Sequence, residues 1–164
     1  MTNGNSIPKY FFILPLVCVL SACSLASQNI LPSACAPTDQ DQYLYRPERL
    51  EVRAACLYVT GVVDIVRGDP DGDVHIRLNL DKRYEQYLTE ANDDEYGDLV
   101  VKLVCYHKVT QAEAIDICAS DPDPYRDELP EVGQHIWMEG RYVLNNEQGG
   151  WAELHPLYRW GPVD

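Results

Sequence analysis

The chain has 164 residues, a length that suits one domain once the first two dozen are set aside. Its formal net charge of −13 at pH 7 weighs against nucleic acid as a partner, because phosphate backbones are held by clustered Lys and Arg. A surface this acidic suits solubility outside the cell.

In chain order, the first element reads as an export signal. Lys9 precedes the apolar run "YFFILPLVCVL" (Tyr10 to Leu20). That run is shorter than the ~20 residues a membrane span needs, and it fits the ~7–15-residue core of a secretory signal. The next residues, "LSAC" (Leu20 to Cys23), resemble the bacterial lipobox: an aliphatic residue, two small ones, then the cysteine that takes the lipid. The resemblance implies a signal peptide over residues 1–22 and a lipid on Cys23. It also implies an extracytoplasmic, cell-envelope location, with the protein anchored to a membrane without a spanning helix. An ordinary cleaved signal, or an uncleaved anchor, is the alternative reading of the same residues. Residues 23–50 mix small, polar and proline residues without periodicity and read as a flexible tether. The domain is then expected over residues 51–164.

Of six cysteines, Cys18 would leave with the signal and Cys23 would carry lipid, so four remain for an oxidising compartment. Four cysteines allow three connectivities. The economical one joins Cys105 to Cys118 and Cys35 to Cys56. No Cys-x-x-Cys pair supports zinc.

Strand signals begin with "CLYVTGVVDIVR" (Cys56 to Arg67), where Gly61 suggests a bend or bulge. "GDPDGD" (Gly68 to Asp73) is a turn by composition. In "DVHIRLNLD", Val74, Ile76, Leu78 and Leu80 alternate with His75, Arg77, Asn79 and Asp81, which marks a half-buried strand. A polar excursion over residues 82–98 leads to a third strand, "LVVKLVCY" (Leu99 to Tyr106). "TQAE" (Thr110 to Glu113) has the form of a capping box opening a helix that runs to about Ala119. Strands "QHIWMEGRYVL" and "WAELHPLYRW" follow, joined by "NNEQGG".

Three strands, one short helix and a two-stranded hairpin give an all-β class and the chain order of the OB-fold, a five-stranded Greek-key barrel. A different antiparallel barrel is the alternative. The segments "VTGVV", "DGDVHIRL", "WMEGRYV" and "GWAELHP" resemble those of small extracytoplasmic OB-fold-like proteins of unassigned function. The resemblance implies a fold, with ligand contact on "GDPDGD" and "NNEQGG", and brings no catalytic residues.

Two groups carry the candidate chemistry. "GDPDGDVH" offers Asp69, Asp71, Asp73 and His75 at alternate positions, like the opening of a calcium loop. An EF-hand would need glycine at position six and glutamate at twelve. Counted from Asp69, position twelve is Leu80, so a Pro-Asp-Gly turn fits better. On the last strand Trp151, Glu153 and His155 share a face. If that strand met the Asp73/His75 edge, two carboxylates and two imidazoles would converge. Such a set suits a divalent metal or acid–base hydrolysis. The competing reading is a structural set satisfying buried polar groups.

The binding candidates are therefore Asp71, Asp73, His75, Trp151, Glu153 and His155, with no catalytic residue and no cofactor assigned beyond a possible divalent metal. Tyr142, Tyr158, Trp137 and Trp160 offer a stacking surface, of the sort OB-folds use for sugars and single strands. With this acidity a protein, peptide or sugar ligand is expected over nucleic acid. An enzyme is the less favoured reading, since no nucleophile motif stands out.

Overall fold

In the computed structural model the described residues are Met1, 42–120 and 128–163. The expected signal peptide, Cys23, Cys35 and most of the tether lie outside them. The regular elements are β1 (Leu50–Gly68), β2 (Val74–Leu80), β3 (Leu99–Leu103), α1 (Ile115–Ala119), β4 (His135–Asn145) and β5 (Trp151–Pro162). Pairing runs β1–β2–β3–β5–β4 and returns from β4 to β1, so the sheet closes on itself. Neighbours are antiparallel except β3 and β5, which meet in parallel at Val100↔Glu153 and Val101↔Leu154.

The alternation read in β2 sets the interior. Val74, Ile76, Leu78 and Leu80 pack with Val59, Val63, Leu99, Val101, Ile136, Met138 and Leu154 in the main core. Each such side chain contributes roughly 1.5–3 kcal/mol when fully buried. Gly61 sits where β1 crosses closest to β2, and a Cβ there would collide with the Asn79 carbonyl oxygen. The register shift itself comes later, between Val63 and Ile65. It rephases β1, so that Val63 and Val66 both pack on the core and Arg67 stands opposite His75.

The polar excursion forms two 3-10 turns, Lys82–Tyr87 and Glu90–Glu95. Asn92, fully buried, fastens the second to β5 in the manner of a strand neighbour. Its Nδ2 donates to the Ala152 and Asp98 carbonyls at 3.1 and 2.9 Å, and its Oδ1 accepts from the Ala152 amide at 3.0 Å.

Several expectations are revised. The "TQAE" capping box does not form. A 3-10 turn over Ala112–Ala114 precedes α1, and the Thr110 hydroxyl donates instead to the Pro70 carbonyl at 3.4 Å. The Thr110 and Gln111 amides both donate to the Pro70 carbonyl, each at 2.9 Å, which ties this segment to the turn beneath it and sets the helical start at Gln111. Packing also starts before residue 51. Tyr43, Leu44 and Leu50 are buried with Val104, Cys105 and Val143 in a second apolar cluster. Of the expected platform aromatics, Trp137 and Tyr142 are joined by one run of ring contacts through Tyr58, Tyr84 and Tyr87. Trp137 stacks on Tyr58, Tyr142 meets Tyr87 edge-on, and Trp160 packs on the core while its indole N–H donates to the Glu128 carbonyl.

Cys105 and Cys118 are joined by a disulfide, as their spacing suggested. Cys56 is also disulfide-bonded; its expected partner, Cys35, lies outside the described residues.

Candidate functional site

Residues paired across strands point to the same side of a sheet, and that rule assembles the site. His75 pairs with Lys102, Val100 with Glu153, Glu153 with Val143, and Trp151 with Asn145. Because side chains alternate along each strand, His75, Lys102, Glu153, Asn145, Trp151 and His155 share the outer face, opposite Ile76, Val101 and Leu154. The outer face is not solvent here. The Tyr43–Leu50 segment and the Glu90–Glu95 turn cover it, leaving His75 1 % exposed and Glu153 and His155 fully buried.

Burying such groups demands partners, and they fall into two clusters. In the first, Glu153 Oε1 accepts from Asn145 Nδ2 at 2.9 Å, and Oε2 meets His155 Nδ1 at 3.0 Å. The other ring nitrogen, Nε2, faces Asp73 Oδ2 at 3.6 Å. Asp73 Oδ1 in turn accepts the Cys105 amide at 3.0 Å. In the second, Lys102 Nζ pairs with Asp69 Oδ2. Arg67 lies 3.4 Å from Asp69 Oδ1 and hydrogen-bonds His75 Nδ1 at 3.2 Å. His75 Nε2 is 3.4 Å from Glu95 Oε2.

The expected convergence is therefore split. Asp73, from the turn before β2, meets the Glu153–His155 pair of β5, whereas His75 belongs to the Asp69–Lys102 cluster. Lys102 places a cation among these groups. No set of three or more His, Cys, Asp or Glu among the described residues is arranged to hold a metal ion.

Electrostatics follow from burial. Removal from water, with the Asp71 charge adding to it, pushes the Asp73 carboxyl up to about 7. Burial drives the His155 imidazole below its ordinary value, towards the neutral ring. Burial opposes the Glu153 carboxylate too, but the His155 and Asn145 hydrogen bonds and the Lys102 charge outweigh it and hold its pKa down. Asp69 is likewise held low against burial, by His75 and Lys102.

The Asp69–Gly72 turn closes through the Gly72 amide to the Asp69 carbonyl at 3.1 Å, with Gly72 in the left-handed region that favours glycine (φ 98°). Asp71 Oδ1 accepts the Asp73 amide at 3.2 Å, so this aspartate serves the turn as read. Residues 105–119 buttress it from behind, with the His107 amide donating to the Gly72 carbonyl at 2.7 Å. Across from the turn, Asn145 caps the short Asn146–Gln148 turn by accepting the Glu147 amide.

Between these two loops opens a cleft of about 200 Å³, lined by Asp69 and Asp71 from one loop, Asn145 and Gln148 from the other, and by Arg49, Lys102 and Trp151. No protein-family model and no curated protein matches the chain. Its chemistry has to be read from this cleft.

Three lining residues escape a sequence reading. Arg49 lies in a segment with the composition of a tether. Asn145 looks like ordinary loop polarity. Lys102 interrupts the apolar run "LVVKLVCY", and that was a usable signal, because a lone cation in a buried strand requires a carboxylate partner.

Proposed function

We propose that this protein is a cell-envelope lipoprotein whose OB-like barrel is a binding module, with its ligand seated in the cleft between the β1–β2 and β4–β5 loops. The observation that carries the reading is the shared cleft. The two loops through which OB-folds recognise partners line one cavity here, with polar side chains from both directed at it. The strand order, with its parallel β3–β5 contact, supports the OB assignment. The acidic chain favours a peptide or sugar over nucleic acid.

A metal-dependent hydrolase built on Asp73, His75, Glu153 and His155 is the less favoured reading, because the four divide between two clusters and Lys102 places a cation among them. Titration of the ¹⁵N-labelled protein with panels of short peptides and oligosaccharides tests the binding reading. Amide shifts concentrated at Asp71, Gln148 and Trp151 are expected; shifts confined to other surfaces would overturn it. Cys23→Ser should move the protein from the membrane fraction to the soluble one, and unchanged partitioning would remove lipid as the anchor.

A further inference from the structure

The carboxylates around the cleft are answered from within the protein, whereas two of its donors are not. Asp69 is taken by Lys102 and Arg67, Glu153 by Asn145 and His155, and Asp71 by the Asp73 amide. Arg49, by contrast, has no ion-pair partner among the described residues, and its buried Nε has no hydrogen-bond acceptor. The Trp151 indole N–H is buried without an acceptor as well. Both side chains line the same cleft.

Buried N–H groups in native proteins are nearly always paired, and a planar guanidinium matches a carboxylate with two parallel N–H donors. Lys102 and Arg67 share the single Asp69 carboxylate, whereas Arg49 has no carboxylate of its own among the described residues and presents a buried, unpartnered Nε. The cleft's volume, about 200 Å³, suits one residue-sized group rather than a drug-sized ligand.

From this we infer that the cleft receives a carboxylate-bearing ligand, whose carboxylate is bound by Arg49 and the Trp151 indole N–H. The inference rests on the cleft being the ligand site. Two sources share this chemistry, the C-terminus of a peptide and a sugar acid.

The test titrates the ¹⁵N-labelled full chain with N-acetyl-alanine, glucuronate and their uncharged counterparts, N-acetyl-alaninamide and glucose. The Trp151 indole resonance should saturate with one acid at a concentration roughly tenfold below its uncharged counterpart. The acid that does so identifies the source. Arg49→Gln should erase the preference while the rest of the spectrum keeps its dispersion, and Arg49→Lys should retain part of it. Equal response to charged and uncharged members, or a preference that survives Arg49→Gln, would overturn the carboxylate inference and leave the cleft as a binding site. No response at the cleft from any of the four would overturn both.

Discussion

His155 Nε2 faces Asp73 Oδ2 across 3.6 Å, and both atoms are buried without a hydrogen-bond partner among the described residues. At that separation the two groups feel each other's charge without being hydrogen-bonded. His155 Nδ1 is committed to Glu153 at 3.0 Å, and burial favours the neutral forms of both His155 and Asp73. A carboxyl raised to about 7 fits that arrangement.

The arrangement fixes a pH dependence. Asp73, raised from its ordinary 3.8, adds stability at low pH that is lost as pH climbs through about 7. Asp73→Asn keeps an oxygen for the Cys105 amide and gives His155 a permanent N–H. Its stability relative to the parent should rise between pH 4 and 8, by on the order of 2–4 kcal/mol. His155, whose pKa is lowered, contributes in the opposite sense, losing stability as pH falls through its folded value. It is present in both proteins, so the difference isolates Asp73. Urea unfolding across that range reads it out, and a difference that stays constant with pH would remove the raised Asp73 carboxyl.

Glu153 holds two buried donors at once. Glu153→Ala strands both His155 Nδ1 and Asn145 Nδ2, and should cost about 2–4 kcal/mol. Asn145→Ala removes one donor and leaves the His155 contact, so its cost should be nearer 1 kcal/mol. Denaturant midpoints of the two variants measure this order. Equal costs would mean that Glu153 is hydrated in solution.

The Cys105–Cys118 bridge closes a 13-residue separation, for which loop entropy gives a contribution of about 3 kcal/mol. Replacing both cysteines by serine should lower stability by that order. Cys105 also anchors Asp73, and the following residues support the turn beneath them. Hydrogen exchange at the Gly72 and His107 amides should therefore accelerate more than exchange in β4. Uniform acceleration would show that the bridge stabilises only the chain as a whole.

Gly61→Ala drives a methyl into the Asn79 carbonyl oxygen. Backbone at that contact has no room to yield, so a loss of about 2 kcal/mol or more is expected in thermal or urea unfolding. Gly97→Ala meets no atom within 4 Å; it carries only the cost of a left-handed backbone, about 1 kcal/mol. A reversal of that order would remove the close β1–β2 approach.

The elements were legible where one face is apolar and the other polar. Alternation in β2 and the turn composition of "GDPDGD" placed both correctly, and strand parity put Glu153 beside His155. The site was less legible, because its polar face is not wet. Nothing in the spacing of His75 reveals that Arg49, distant in sequence, and Glu95, from an irregular segment, fold over that face. The capping box at Thr110 failed for the same kind of reason: a carbonyl far away in sequence, that of Pro70, binds the Thr110 and Gln111 amides and shifts the helical start to Gln111. Among the residues that reading missed, Lys102 carried the usable signal, as a cation in a strand with no water to hold it.

We propose that the cleft between the Asp69–Gly72 turn and the Asn146–Gln148 turn is where this protein meets its ligand. Soaking crystals with a library of small carboxylates, amides and sugar fragments tests it most directly. Bound fragments should concentrate in that cleft, in contact with Arg49, Trp151 and Gln148. Fragments found on other surfaces, with the cleft holding only water, would contradict it.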